Sequence, residues 1–168
     1  MGELRGEAVV LRPIAEGDRE RAAEILAAPE VARWWADADP DAALRWVLSG
    51  EEGLASYVIE AGGDVVGLIQ SSEETDPQYR SAGIDIAVDP ALHGRGVGSD
   101  AIRVLARHLF SQGHHRVTID PAAANERAIA VYTRLGFRPI GVSRASERGA
   151  DGVFHDQLLM DLLEGELR

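Results

Sequence analysis

The chain has 168 residues, 45% of them hydrophobic, and we expect residues 1–168 to form a single packed domain. Its formal net charge is -11, and all 17 Lys or Arg positions hold arginine. The absence of cysteine excludes disulfides, thiolate metal sites and cysteine nucleophiles. The acidic charge disfavours binding to nucleic acid or to an anionic membrane.

The first residues carry two glutamates before any apolar run, which is unlike a signal peptide. No apolar stretch in the chain reaches membrane-spanning length. We therefore expect a cytoplasmic protein with no membrane partner. The sequence leaves open whether it is a monomer or a homodimer.

In chain order, residues 8–14 are rich in β-branched side chains and predict a first strand. A helix capped by Asp18 is expected next, and a second helix is expected to begin at residues 39–41, after two adjacent tryptophans. Both helices have apolar positions at helical spacing. These positions are Ala22, Ile25 and Leu26 in the first helix, and Leu44, Val47 and Leu48 in the second.

Residues 56–60 and 64–70 flank a glycine turn and predict a β-hairpin. A polar loop is expected over residues 71–80, followed by a strand over residues 82–88. Side chains in that strand alternate between two faces. One face holds Ile84, Ile86 and Val88, and the other holds Asp85 and Ala87.

The second half of the chain alternates helices and strands after a glycine-rich turn. Such an order gives parallel strands joined by crossover helices, whereas hairpins give antiparallel neighbours. We therefore expect a mixed sheet in a fold of the α+β (α/β) class. The predicted elements are a helix ending near Gly113, a strand over 116–121, a helix over 125–135, and strands over 139–143 and 153–163.

Residues 93–98 (His-Gly-Arg-Gly-Val-Gly) lie between a predicted strand and a predicted helix. Their glycines allow close backbone approach, so that N–H groups at the helix start can bind a phosphate. Alternatively, the glycines only shape a tight turn. A Walker phosphate loop is excluded because the chain has no lysine, and the glycine spacing excludes the dinucleotide fingerprint.

Residues 94–98, Asn125 and residues 132–137 (Tyr-Thr-Arg-Leu-Gly-Phe) together resemble the signature of the GNAT acetyltransferase superfamily. The resemblance implies a mostly antiparallel central sheet of about seven strands with about four helices, in which parallel strands splay apart at the cofactor site. It also implies acetyl-CoA as cosubstrate, although His93 stands where the family has Gln or Arg. The implied cofactor-binding residues are Ala87, Val88, His93, Gly94, Arg95, Gly96, Val97, Gly98, Ser99 and Asn125.

Further segments resemble the aminoglycoside 6'-N-acetyltransferases of this superfamily. They are residues 31–35 (Val-Ala-Arg-Trp-Trp), residues 73–77 (Glu-Glu-Thr-Asp-Pro), residues 83–85 (Gly-Ile-Asp), and Asp120-Pro121 with Asn125. The resemblance implies a resistance enzyme in which Asp85 binds the reacting amine and acts as base. It also implies that Asp120 binds another ammonium group, and that Trp34 and Trp35 line the acceptor pocket. The loop before Glu73 is shorter than in that group and lacks an acidic residue used there.

Two residues are candidates for acid–base chemistry. Asp85 lies in the middle of a strand, where burial of an unpaired carboxylate is costly, so it needs a partner. That partner is either a neighbouring strand or a cationic amine, whose proton Asp85 accepts directly or through water. Tyr132, seven residues after Asn125, is either an ordinary core aromatic or the acid that protonates the departing thiolate.

Other polar and aromatic residues have two interpretations each. Glu73, Glu74 and Asp76 form either a solvated loop or an acidic mouth that binds substrate ammonium groups. Because Trp34 and Trp35 are adjacent, we expect one to pack in the core and the other to cover a sugar ring or a cation. The five histidines lack metal-ligand spacing, so no metal is expected.

The expected partner is a small-molecule cationic amine, but two other functions compete with aminoglycoside acetylation. One is a GNAT enzyme for a protein N-terminus, a polyamine or a siderophore amine. The other is a non-catalytic acyl-CoA sensor that binds the cofactor without turnover. The pairing of Asp85 with Tyr132 favours an enzyme over a sensor.

Overall fold

A computed structural model of the chain describes residues 2–35, 44–45, 47–49, 51–149 and 151–168. Its strands are β1 (Leu4–Arg5), β2 (Val10–Pro13), β3 (Leu54–Ala61), β4 (Asp64–Glu74), β5 (Ser81–Val88), β6 (Arg116–Ile119), β7 (Arg138–Arg148) and β8 (Phe154–Leu163). They form one eight-stranded sheet in the order β1-β2-β3-β4-β5-β6-β8-β7.

The described residues also form four helices. They are α1 (Arg19–Ala27), α2 (Pro29–Ala32), α3 (Val97–Ser111) and α4 (Glu126–Leu135), with 3-10 turns at Glu16–Asp18 and Pro90–Leu92. The predicted helix start at residues 39–41 lies outside the described residues, whereas Leu44 and Val47 are helical and buried. Within the described ranges, no helix has the length and apolar character needed to cross a membrane.

The sheet is antiparallel at every strand pair except β5 and β6. These two strands pair in parallel at only two positions, Ala82 with Val117 and Gly83 with Thr118. Beyond these positions they no longer pair. The structure thus confirms the predicted mixed, mostly antiparallel sheet, and the two-residue strand β1 adds an eighth strand to the expected seven.

The two faces of the sheet are buried by different helices. α3 and α4 cover one face, where Ile84 of β5 is part of the larger hydrophobic core. α1 and α2 cover the other face over β3 to β5, where Ala87 packs in a smaller cluster. The predicted alternation along β5 is therefore confirmed, because Ile84 and Ala87 belong to opposite faces.

Three local predictions are wrong. Asp18 does not cap α1, because its carboxylate accepts hydrogen bonds from the Ala15 N–H (2.8 Å) and from the Arg12 guanidinium (2.9 and 3.0 Å). β4 continues to Glu74, so the polar loop begins after that residue rather than at position 71. β7 continues to Arg148, because its second half pairs with the start of β8.

A buried carboxylate ties the N-terminal segment to α3. Asp100 is 6% exposed, and its Oδ2 atom accepts hydrogen bonds from the N–H groups of Ala8 (2.7 Å) and Val9 (3.1 Å). A Cβ atom at Gly6 would lie 2.4 Å from the same oxygen, so this position needs glycine for the close approach. Asp100 therefore fixes the start of the chain to the helix that follows the glycine-rich turn.

We predict that Asp100→Ala lowers the free energy of unfolding by about 3 kcal/mol, because the buried Val9 N–H and the partly buried Ala8 N–H lose a charged acceptor. Asp100→Asn, which keeps one oxygen acceptor, is expected to lose about half as much. Asp64→Ala, on the exposed hairpin turn, is the control. Guanidinium denaturation measures the free energy of unfolding of all three variants. Equal losses of this free energy in Asp100→Ala and Asp64→Ala would contradict the role assigned to Asp100.

Candidate active site

A cleft of about 670 Å³ opens where β5 and β6 separate. Its walls come from β5, the turn at residues 93–98, the first turn of α3, the loop after β6, and α4. Among the described residues, no strand pairs with the β6-facing edge of β5 from Ile84 to Val88. The cleft therefore combines an unpaired strand edge with the start of a helix.

The glycine-rich turn forms one end of the cleft. Gly94 and Gly96 have φ angles of 77° and 83°, in the left-handed region that favours glycine, and Gly96 is the N-terminal capping residue of α3. The Asp100 N–H bonds to the Gly96 carbonyl, so the N–H groups of residues 97–99 have no acceptor within the helix. Such groups, with the helix dipole, attract an anion.

His93 connects the turn to the end of β5. Its Nε2 atom lies 2.9 Å from the Val88 carbonyl oxygen, and because a carbonyl only accepts, Nε2 carries the proton and donates. Burial, and the positive charge of Arg127, lower the pKa of His93. A neutral imidazole thus fixes the turn to the strand, although the related family loop has Gln or Arg at this position.

Asp85 of β5 lines the middle of the cleft. Its Oδ2 atom accepts a hydrogen bond of 3.0 Å from Nε2 of Gln70, the residue directly opposite it on β4. Burial raises the pKa of Asp85, and the bond from Gln70 opposes this rise. Within the protein, the neighbouring strand thus supplies a partner for Asp85, the neutral amide of Gln70.

Two further carboxylates face the same space. Asp120 follows β6, and partial burial together with the charges of Asp85 and Glu147 raises the pKa of Asp120 to about 6. Glu147 of β7 accepts a 3.0 Å hydrogen bond from Nε2 of Gln157 on β8. Burial and the charge of Asp85 raise the pKa of Glu147 as well. Burial is the largest cause of each rise, and the charge of Asp85 adds to the rise at both Asp120 and Glu147. A cation between these carboxylates would offset that repulsion.

Tyr132 of α4 lies across the cleft and is 8% exposed. Burial, followed by the negative charges of Asp85 and Asp120, raises the pKa of Tyr132, so its hydroxyl keeps its proton at neutral pH. Asn125 also lines the cleft, and its Oδ1 atom caps α4 by accepting the Ala128 N–H at 3.2 Å, as the sequence predicted. The cleft thus holds carboxylates and a protonated phenol.

Both tandem tryptophans line the cleft, as the resemblance implied for the pair. They follow α2 in a turn in which the N–H groups of Trp34 and Trp35 both donate to the Val31 carbonyl. Trp35 also packs against the smaller hydrophobic cluster, so it serves the core and the cleft together. The guanidinium carbon of Arg33 lies 4.3 Å from the Trp34 ring centroid, a cation–π contact.

The three acidic residues at the end of β4 and in the loop after it do not line the cleft. Glu73 instead bonds through Oε2 to Nε2 of the buried His114 at 2.7 Å. Glu74 accepts the Asp76 N–H at 2.8 Å, and the antiparallel register sets Glu74 opposite Ser81, at the start of β5. The predicted acidic mouth beside Asp85 is therefore not formed by these three residues.

Nearly all of the predicted cofactor-binding residues line the cleft. Exposed Arg95 does not line the cleft, whereas the other predicted cofactor residues do. Sequence reasoning missed six polar residues of the lining, because no local sequence pattern distinguishes them from ordinary surface or strand positions. They are Glu30, Gln70, Arg127, Arg134, Glu147 and Gln157.

Structures of known acetyltransferases share this fold. The Mycobacterium smegmatis RimJ structure, in complex with CoA-disulfide, superposes with a TM-score of 0.84 at 26% identity, over 99% of this chain and 88% of the other. The Vibrio cholerae spermidine N-acetyltransferase, in complex with CoA and spermine, gives a TM-score of 0.80 at 20% identity, over 95% and 97% of the two chains. The second similarity is one of fold alone.

Sequence comparison gives the same family. The aminoglycoside N(6')-acetyltransferase type 1 of Klebsiella pneumoniae is 28% identical over 155 aligned residues, covering 80% of this chain and 76% of the relative. The model of the acetyltransferase (GNAT) family matches residues 19–137, which include β5, the glycine-rich turn, α3 and α4. The chain therefore belongs to the GNAT acetyltransferase family.

Proposed function

We propose that this acetyltransferase transfers the acetyl group of acetyl-CoA to a primary amine of a polycationic small molecule, with the 6'-amine of an aminoglycoside as the acceptor. The observation that carries the proposal is the group of three carboxylates, Asp85, Asp120 and Glu147, across one cleft from the protonated Tyr132. An acceptor with several ammonium groups relieves the repulsion among these carboxylates. The Klebsiella pneumoniae relative named above supports an aminoglycoside as that acceptor.

The cofactor end of the cleft suits an anionic nucleotide. The free N–H groups of residues 97–99 would bind the pyrophosphate, with Gly94 and Gly96 allowing close approach of the backbone. The unpaired edge of β5 from Ile84 to Val88 offers backbone groups to an extended, amide-bearing arm. Arg127 and Arg134 add positive charge along the same cleft. Acetyl-CoA, when bound, supplies an activated thioester.

The chain's own residues supply the proton transfers. An ammonium group held at Asp85 becomes nucleophilic only after losing a proton, and Asp85 accepts that proton directly or through one water. As the new C–N bond forms and the C–S bond breaks, the Tyr132 hydroxyl donates its proton to the departing sulfur, and the proton that the nitrogen loses on becoming an amide restores the hydroxyl through solvent in the cleft. Asp120 and Glu147 hold the acceptor's other ammonium groups. Trp34 and Trp35 cover its sugar face.

The direct test is CoA release by the purified protein with acetyl-CoA and a panel of aminoglycosides, polyamines and peptides with free N-termini. Turnover of aminoglycosides supports the proposal. Turnover of polyamines or peptides alone would support acetyl transfer to an amine but would show that the acceptor is not an aminoglycoside. Tight CoA binding without turnover of any amine would support a sensor instead.

We predict that Asp85→Asn lowers kcat/KM by about 10²- to 10⁴-fold, because the amide can neither accept the amine's proton nor balance its charge. Acetyl-CoA affinity, measured by calorimetry, is expected to stay unchanged, because the glycine-rich turn lies at the other end of the cleft. Asp64→Asn on the exposed hairpin turn is the matched control. Equal losses of acceptor turnover and acetyl-CoA affinity in Asp85→Asn would refute this division of the cleft.

A second prediction concerns pH and stability. The pKa of Asp120 is about 6 in the folded chain and close to 3.9 when unfolded, so between these values only the folded state holds the proton. The free energy of unfolding should therefore fall as pH rises through this window. Asp120→Asn should make that pH dependence shallower, leaving the contributions of Asp85 and Glu147, which have the same sign.

Denaturant unfolding of wild type and Asp120→Asn at about pH 5 and about pH 8 measures the difference. A polycationic aminoglycoside should also raise the melting temperature more at the higher pH, where Asp120 is charged. Identical pH dependence in the two proteins would mean that Asp120 does not interact with its neighbours as described. Asp64→Asn again serves as the control for loss of one exposed charge.

A further inference from the structure

Gln70 is a buried amide directly beneath the proposed base. It lies on β4 opposite Asp85, is 2% exposed, and lines the cleft. Its Nε2 atom donates to Oδ2 of Asp85 at 3.0 Å. Among the described residues, no other group donates a hydrogen bond to the Asp85 carboxylate. Oδ1 of Asp85 therefore has no protein donor within the described part of the chain.

Core packing alone does not explain why an amide side chain occupies position 70. Oε1 of Gln70 is buried without a hydrogen-bond partner, and the hydroxyl of Ser56, directly opposite on β3, is buried and unpaired as well. A buried polar atom without a partner destabilises a fold relative to an aliphatic side chain of similar size. The two residues that precede Gln70 on β4, Leu68 and Ile69, are aliphatic. The position thus carries a polar side chain at a cost to stability.

We infer that Gln70 is the positioning residue for Asp85: its Nε2–H group holds oxygen Oδ2 against β4 and leaves oxygen Oδ1 to bind the acceptor's amine. This inference rests on the proposed role of Asp85 as amine ligand and base. Gln70 does not reach the reacting atoms itself. It determines which oxygen of the carboxylate is available and keeps that oxygen turned to the cleft.

The same bond suits both protonation states of the carboxylate. When Oδ1 takes the proton of the ammonium group, Oδ2 becomes the carbonyl oxygen of a neutral acid and still accepts the bond from Nε2. An amide neither gains nor loses a proton near neutral pH, so Gln70 keeps its orientation through the transfer. The proton is thereby directed to Oδ1, the oxygen that lacks a donor.

Gln70 also adjusts the charge state of the base. Burial raises the pKa of Asp85, and the hydrogen bond from Gln70 lowers it. The other titratable groups that interact with Asp85 are Asp120 after β6, Glu147 on β7 and Tyr132 on α4. The first two are negative and favour protonation of Asp85, so Gln70 is the described neighbour that favours its ionised form.

The test compares Gln70→Leu and Gln70→Glu with wild type. Leu removes the donor and fills the same space, whereas Glu keeps the shape and adds a negative charge beside Asp85. Ser71→Ala is the matched control, because Ser71 is the next residue on β4, is buried with an unpaired hydroxyl, and points to the opposite face. Each variant is first checked by thermal unfolding with and without CoA.

Two quantities are then measured. One is the titration of the Asp85 carboxyl by NMR in protein carrying ¹³C-labelled aspartate, with the signal assigned from Asp85→Asn. The other is kcat/KM for kanamycin against pH. We expect both variants to raise the pKa of Asp85, Glu more than Leu, and to move the acidic limb of the rate profile to higher pH. At neutral pH, kcat/KM for Gln70→Leu should fall roughly 10-fold or more.

An unchanged Asp85 titration in Gln70→Leu would overturn the inference, as would a uniform loss of rate without movement of the profile, which is the signature of a merely structural role. Movement of the profile in Ser71→Ala would overturn it too. The NMR titration needs no turnover. If wild type acetylates no amine, the proposed function fails, while the titration of Gln70→Leu still decides whether Gln70 controls Asp85.

Discussion

The early end of pairing between β5 and β6 is the constraint on which the site depends. The two strands share only the pairs Ala82–Val117 and Gly83–Thr118, and the sheet is otherwise continuous. Separation beyond these pairs leaves the edge of β5 free next to the glycine-rich turn. It also lets residues from five different strands and from α4 line one cleft. A fully paired sheet would close that space and leave Asp85 facing backbone rather than a ligand.

Opposite charges are attracted at the two ends of this cleft by different means. The anion end uses backbone N–H groups and a helix dipole at residues 97–99, which function in a chain of net charge -11 because they act locally. The cation end uses the carboxylates of Asp85, Asp120 and Glu147, where burial and the charge of Asp85 raise the pKa values of the other two. Ionisation of the partly buried Asp120 lowers the stability of the free protein above about pH 6, and the same negative charges favour a polycation.

The features of the fold and the cleft that could be predicted from the sequence are those marked by a short local sequence pattern. Alternation along β5, glycines before a helix and an Asn cap each depend on a few neighbouring residues, and all three were found. Glu147 and Gln157 were missed because they meet across a β7–β8 pairing that no local pattern predicts. Glu73 was assigned to the cleft because its segment resembles a substrate loop. The structure instead pairs it with buried His114, a contact across 41 residues of sequence.

The most direct measurement is a crystal structure of the ternary complex with CoA and kanamycin. We expect the pantetheine arm along the free edge of β5 and the CoA sulfur between Asp85 and Tyr132. One kanamycin amine should bind Oδ1 of Asp85, with its nitrogen about 3–4 Å from the sulfur, a separation that allows reaction. The other ammonium groups should contact Asp120 and Glu147. Binding of CoA outside the β5–β6 cleft, or of every amine away from Asp85, would contradict the account.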